Sequence, residues 1–110
     1  MIVRHTQPGP DTHGLTPGRD YAVIGIEADD YRILNDLGEP SLFPPEAFTV
    51  VDPREPADWI STMGPDGERY AYPDPLNRPG FFEDYFDQDS ATIAAFWQRV
   101  NQQMNLADAG

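Results

Sequence analysis

The chain contains no cysteine and no lysine. Without thiols there are no disulfides, no thiolate nucleophile and no zinc site built on Cys ligands. That absence fits a cytoplasmic protein. Without lysine, all seven basic residues are arginine, and they face nineteen acids for a net charge of −12. Phosphate recognition needs a basic face, so nucleic-acid binding is not expected. No apolar run approaches the roughly 18 residues of a membrane span. The stretch Met1-Ile2-Val3-Arg4-His5-Thr6-Gln7-Pro8 lacks the apolar segment of a signal peptide. The expectation is a cytoplasmic protein with no membrane contact.

Catalytic equipment is also missing. Nucleophilic catalysis without Cys needs Ser or Thr beside a base, and the two histidines, His5 and His13, lie in a Pro/Gly-rich start with no Gly-x-Ser-x-Gly elbow in the chain. Both read as ordinary surface histidines. Adjacent acids such as Asp29/Asp30, Glu83/Asp84 and Asp87/Asp89 sit too close in sequence to act as an acid–base pair, which needs unlike environments about 5–10 Å apart across a cleft. Asp84-x-x-Asp87-x-Asp89 offers oxygen ligands, yet an EF-hand loop needs Gly at its sixth position and Glu at its twelfth. Those positions are Asp89 and Ala95 counted from Asp84, and Thr92 and Gln98 counted from Asp87. Gly64-Pro65-Asp66-Gly67 is turn chemistry without a phosphate-binding Lys. No enzymatic activity, metal or cofactor is expected.

What is present suits one small domain over residues 1–110: 39% hydrophobic residues can fill one core, while twelve prolines and nine glycines enforce short elements. Met1-Ile2-Val3 reads as an edge strand followed by a loop. Tyr21–Ala28 and Tyr31–Asn35 read as a hairpin turning at Asp29-Asp30. Ser41–Phe43 and Thr49–Asp52 read as short strands, with a 3₁₀ turn over Pro44–Phe48 between them. A second hairpin is predicted from Trp59–Met63 and Glu68–Tyr72, then a short helix over Phe81–Phe86. Asp89 or Ser90 caps a helix over about 91–105, where Ile93, Phe96, Trp97, Val100 and Met104 form one apolar stripe and Asn101, Gln102, Gln103 and Asn105 the polar side.

The fold expected is α+β: a small, strongly bent antiparallel barrel (about 15–52) with an additional hairpin and a C-terminal amphipathic helix (about 57–106). Leu15-x-x-Gly18-x-x-Tyr21-x-Val23, Tyr31-x-Ile33-x-Asn35-Asp36-x-Gly38 and Phe43-Pro44-x-x-x-Phe48-x-Val50 carry the resemblance. Together they look like the small Src homology 3-like barrels of bacterial and phage proteins. The resemblance implies a fold, and that fold hosts many functions.

Residues 52–89 hold ten acids against three arginines, interleaved with rings. Aromatics supply rigid anchors at interfaces and acids steer a basic partner. The candidate partner-binding set is Asp66, Glu68, Tyr70, Tyr72, Asp74, Glu83, Asp84, Tyr85, Asp87 and Asp89. The competing assignment puts Phe82 and Phe86 in a core under the last helix. A stand-alone acidic domain without catalytic residues resembles in type the immunity proteins that bacteria carry against toxins. The function expected is therefore an immunity or inhibitor protein that blocks a basic toxin or nuclease domain. The alternative is an adaptor whose barrel groove binds a peptide or subunit, its acidity serving solubility. Oligomeric state is not legible.

Overall fold

A computed structural model describes residues 1–109, with side chains described to residue 102. The chain forms two compact units, Met1–Tyr72 and Pro73–Gly110. The architecture is α+β: seven strands in one antiparallel sheet, a 3₁₀ turn and two C-terminal helices. No described helix is long and apolar enough to cross a membrane.

The first unit contains β1 (Ile2–His5), β2 (Asp20–Glu27), β3 (Asp30–Leu34), β4 (Pro40–Phe43), a 3₁₀ turn (Pro45–Ala47), β5 (Phe48–Asp52) and β6 (Trp59–Met63); β7 (Arg69–Pro73) runs to its boundary. The main path has the order β4-β3-β2-β1-β5, with β7 joining β2 at Ile26↔Ala71 and β6 pairing β7. β2 serves both halves: its start pairs with β1 (Arg4↔Asp20 to Ile2↔Ala22) and its end with β3 (Val23↔Ile33 to Glu27↔Asp30). A bulge between Val23 and Gly25 lies on this changeover; the extra residue bends the strand and re-aims its side chains. Val3, Tyr21, Val23, Ile33 and Phe43 form the core, with Met1, Leu15, Tyr31, Phe48 and Trp59 packed around it. Each such apolar side chain contributes about 1.5–3 kcal/mol when fully buried. Among the described residues the pairing does not close into a ring, since β4, β5 and β6 each keep one unpaired edge.

Two expectations change here. β1 is an interior strand, held by β2 on one side and β5 on the other. Its alternation buries Val3 and His5 and exposes Arg4, the period-2 signature of a half-buried strand. His5 is accordingly not a surface residue: it is 1% exposed, and its Nδ1 lies 3.1 Å from the Ala47 carbonyl oxygen. The first hairpin also turns one residue earlier than expected, at Ala28-Asp29, both with positive φ (49° and 69°). Asp29 holds that left-handed backbone by local bonding, because its N–H donates to the Arg69 carbonyl (3.0 Å) and its carboxylate accepts the Arg69 N–H (2.9 Å). Asp tolerates this region through such bonds.

The second unit contains α1 (Phe81–Phe86) and α2 (Ser90–Ala109). Leu76, Phe81, Phe82, Phe96 and Val100 are its buried apolar residues. Phe96 is its centre, with ring centroids of Tyr85 at 5.0 Å, Trp97 at 5.3 Å and Phe82 at 6.0 Å; edge-to-face pairs of this kind add about 0.5–1.5 kcal/mol beyond burial. Phe82 is thus core, whereas Phe86 is exposed. Met104, Gln103 and Asn105, expected on the helix stripe and its polar side, lie outside the residues whose side chains are described.

Asp89 caps α2: its carboxylate accepts the Thr92 N–H at 3.0 Å and the Thr92 hydroxyl. These bonds hold its pKa below the usual carboxylate range, with Arg78 adding to the effect. A depressed folded-state pKa means the stabilisation is present above the unfolded value of about 3.9 and is lost as pH falls through the folded value. Asp89→Ala is therefore expected to lower the melting temperature by a few degrees at pH 7, with the difference from the parent chain shrinking as pH falls below about 4, as read by circular dichroism.

Candidate protein-binding surface

The ten candidate residues divide between the two units. Asp66, Glu68, Tyr70 and Tyr72 belong to the first, while Asp74, Glu83, Asp84, Tyr85, Asp87 and Asp89 belong to the second.

In the first unit, the β6–β7 turn folds Glu68 back over itself. Its carboxylate accepts the Asp66 N–H at 2.9 Å and the Tyr70 hydroxyl at 3.4 Å. The Tyr70 hydroxyl is raised above its ordinary pKa by partial desolvation, then by the charges of Glu68, Glu27 and Asp29. Those acids therefore gather at one end of the sheet, where β2, β3 and β7 meet. Asp30 lies there too; its pKa is raised by desolvation, then by Glu46, Asp29 and Glu27. Glu46 arrives from the 3₁₀ turn and also raises Tyr31, after desolvation. Arg69, anchored there by its backbone, turns its guanidinium to both oxygens of Glu55 at 2.6 Å.

The sequence shows Asp29-Asp30 as a turn; Glu46 reaches its neighbourhood through the 3₁₀ turn, and Glu68 through the β2–β7 pairing.

Tyr72 is not at the surface. It is 5% exposed, lies against Gly25, and its hydroxyl sits 3.1 Å from both Arg32 Nε and Glu27 Oε1. Burial pushes its pKa well above the usual tyrosine range against the opposing pull of Arg32. Arg32, itself 5% exposed, also donates to the Pro40 carbonyl at 2.9 Å and to Glu27 at 3.0 Å. A buried guanidinium needs this number of acceptors, because an uncompensated buried charge is strongly destabilising. Tyr72 therefore works as a structural tie between β7 and the β2–β3 pair.

In the second unit, α1 turns Phe81, Phe82 and Tyr85 inward and leaves Glu83, Phe86 and Asp87 exposed. Asp84 is spoken for by Arg78 at 3.0 Å, and Asp89 by its cap. Asp74 is exposed. Six arginines of the chain are held in ion pairs, with Asp20, Asp36, Glu27, Asp52, Glu55 and Asp84. Among the described residues, Asp29, Asp30, Glu46, Glu68, Glu83 and Asp87 form no salt bridge. Among the described residues Asp11, Glu39, Asp66 and Asp74 likewise form none, so acids without an arginine partner occur in both units.

A shallow open cleft of about 160 Å³ lies between the β1–β2 loop and the 3₁₀ turn, lined by Gln7, Pro10, Asp11, Thr12, Pro44 and Glu46 among others. Among the described residues, no three His, Asp or Glu side chains come together as a metal site.

The fold is that of a small acidic α+β protein with an open seven-stranded sheet. No protein-family model, curated protein or solved structure matches the chain.

Proposed function

We propose that the protein is an acidic, cytoplasmic protein-binding module that neutralises a basic toxin or nuclease domain by electrostatic blockade, as an immunity or inhibitor protein does. One observation supports this reading: Asp29 and Glu46 lie within electrostatic reach of Asp30 at the β2–β3 turn, and none of the three forms a salt bridge with an arginine. Like charges held close are a cost in the free chain. A cationic surface arriving from outside removes that cost, so the repulsion becomes a driving force for association. The carboxylates pair with Arg and Lys of the partner's substrate groove, and the bound module then excludes the substrate. Steering of this kind raises association toward about 10⁸–10⁹ M⁻¹s⁻¹ at low salt. The module acts by occupancy and requires no cofactor.

As the scaffold for this surface, we read about residues 15–52 of the first unit as a strongly bent, Src homology 3-like barrel. Support comes from the order β4-β3-β2-β1-β5, the bulged β2 shared by both halves, and the 3₁₀ turn before β5.

Affinity capture from the native organism, followed by mass spectrometry and a salt series, tests the proposal. The expected result is one stoichiometric basic protein whose affinity falls steeply between about 50 and 200 mM salt. Binding that ignores salt would overturn the electrostatic mechanism. A second reading, an adaptor that binds a peptide or subunit in the barrel groove, draws on the cleft beside the 3₁₀ turn. It is favoured if the captured partner is not basic and substitutions at Pro10 and Pro44 release it.

A further inference from the structure

Two places in the chain show how this protein holds a guanidinium. The Arg78 guanidinium carbon lies 5.2 Å from the Phe81 ring centroid, while Nη1 is 3.0 Å from Asp84 Oδ2. The Arg19 guanidinium lies 5.5 Å over Tyr21 and pairs with Asp36 at 2.9 Å. In both, a ring takes the flat face of the cation and a carboxylate takes its N–H edge.

On α1, Phe81 and Asp84 are three residues apart and so share one side of the helix. Glu83 and Phe86 repeat that ring-and-carboxylate spacing in reverse order, and Asp87, four residues after Glu83, adds a second carboxylate on the same side. Phe86 is 48% exposed, yet its ring is fixed by an edge-to-face contact with Tyr85 at 5.3 Å, and Tyr85 in turn packs on Phe96 at 5.0 Å. Arg4, Arg19, Arg32, Arg54, Arg69 and Arg78 are committed to other carboxylates. Among the described residues no arginine of this chain stacks on Phe86 or pairs with Glu83 or Asp87.

We infer that Glu83, Phe86 and Asp87 form a docking site for an arginine side chain of a basic protein partner. The inference rests on the proposal above that the partner is basic, and it names the surface that reads it. Phe86 supplies a rigid apolar anchor whose ring is already ordered, so little side-chain freedom is lost on binding. Arginine fits better than lysine: its guanidinium is planar, weakly hydrated and able to meet two carboxylates while stacked on a ring.

The test is a backbone-amide NMR titration of the full chain with hexa-arginine and, separately, hexa-lysine peptides at low salt. The expected result is that hexa-arginine shifts residues 83–87 and binds more tightly than hexa-lysine. Phe86→Leu, which keeps the apolar volume, weakens hexa-arginine binding about threefold. Glu83→Gln with Asp87→Asn weakens it about fivefold. These side chains are exposed, and circular dichroism verifies that each variant is folded. Shifts confined to other residues, or unaltered affinity in both variants, would overturn the inference while leaving the basic-partner proposal standing. Equal affinity for both peptides, insensitive to Phe86→Leu, would overturn the arginine assignment. No binding of either peptide at any residue would overturn both.

Discussion

Gly25→Ala is expected to lower the melting temperature by roughly 12 °C, which corresponds to about 3 kcal/mol for a chain of this size. A Cβ at this position would lie within the Tyr72 ring and 2.9 Å from the Ala71 carbonyl oxygen. The backbone oxygen cannot give way without breaking the Ile26↔Ala71 bridge, so the tyrosine must leave. Overpacking alone costs about 1–3 kcal/mol. Expelling Tyr72 also forfeits its burial and removes a hydrogen-bond partner from the buried Arg32. Thermal unfolding by circular dichroism measures the loss. The diagnostic is the double variant Gly25→Ala/Tyr72→Ala: with the ring gone there is nothing left to displace, so the two losses should fall short of additivity by more than about 1 kcal/mol. Strict additivity would show that the ring does not seat on this glycine.

Reversing Glu83, Asp84 and Asp87 to lysine is expected to weaken partner binding at least about a hundredfold while the chain stays folded. Each change replaces attraction for a cationic partner with repulsion, so the effect on affinity exceeds that of simple neutralisation. The fold is little affected because Glu83 and Asp87 are exposed, and the Arg78–Asp84 pair that is broken is about half exposed on both sides; solvent screens such pairs. Affinity by titration calorimetry, with circular dichroism as the control for folding, reads both halves of the expectation. If affinity survives, the acids that matter are Asp29, Asp30, Glu46 and Glu68, and the corresponding reversal there becomes decisive.

The local elements of this chain are legible in its sequence because their signals are short-range. Val23, Ile24 and Ile26 announce β2, Pro45 the 3₁₀ turn, and Asp89 the start of α2. β1 was harder to place, since Arg4 breaks its apolar run and a Pro/Gly-rich loop follows. Only the alternation of Val3 and His5 marks its buried side, and only pairing with β5 makes it interior. The candidate surface was less legible still. Tyr72 looks like any exposed tyrosine in an acidic stretch; its burial depends on Gly25, forty-seven positions earlier. Glu46 joins Asp30 through tertiary structure alone. Phe86 stays outside while Phe82 goes in because α1 has a single inward side and Tyr85 completes it. Charge composition was visible from the start, whereas its placement is a property of strand register.

The free edge of β5 carries a further consequence. Thr49, Val50 and Val51 are exposed there, uncharged and β-branched, on a strand that, among the described residues, pairs only with β1. Such a strand is a template for self-templated stacking of copies. Long-range repulsion between molecules that each carry a charge of −12 opposes such stacking. The negative charge thus acts as a colloidal guard, and acidification that protonates the carboxylates removes it.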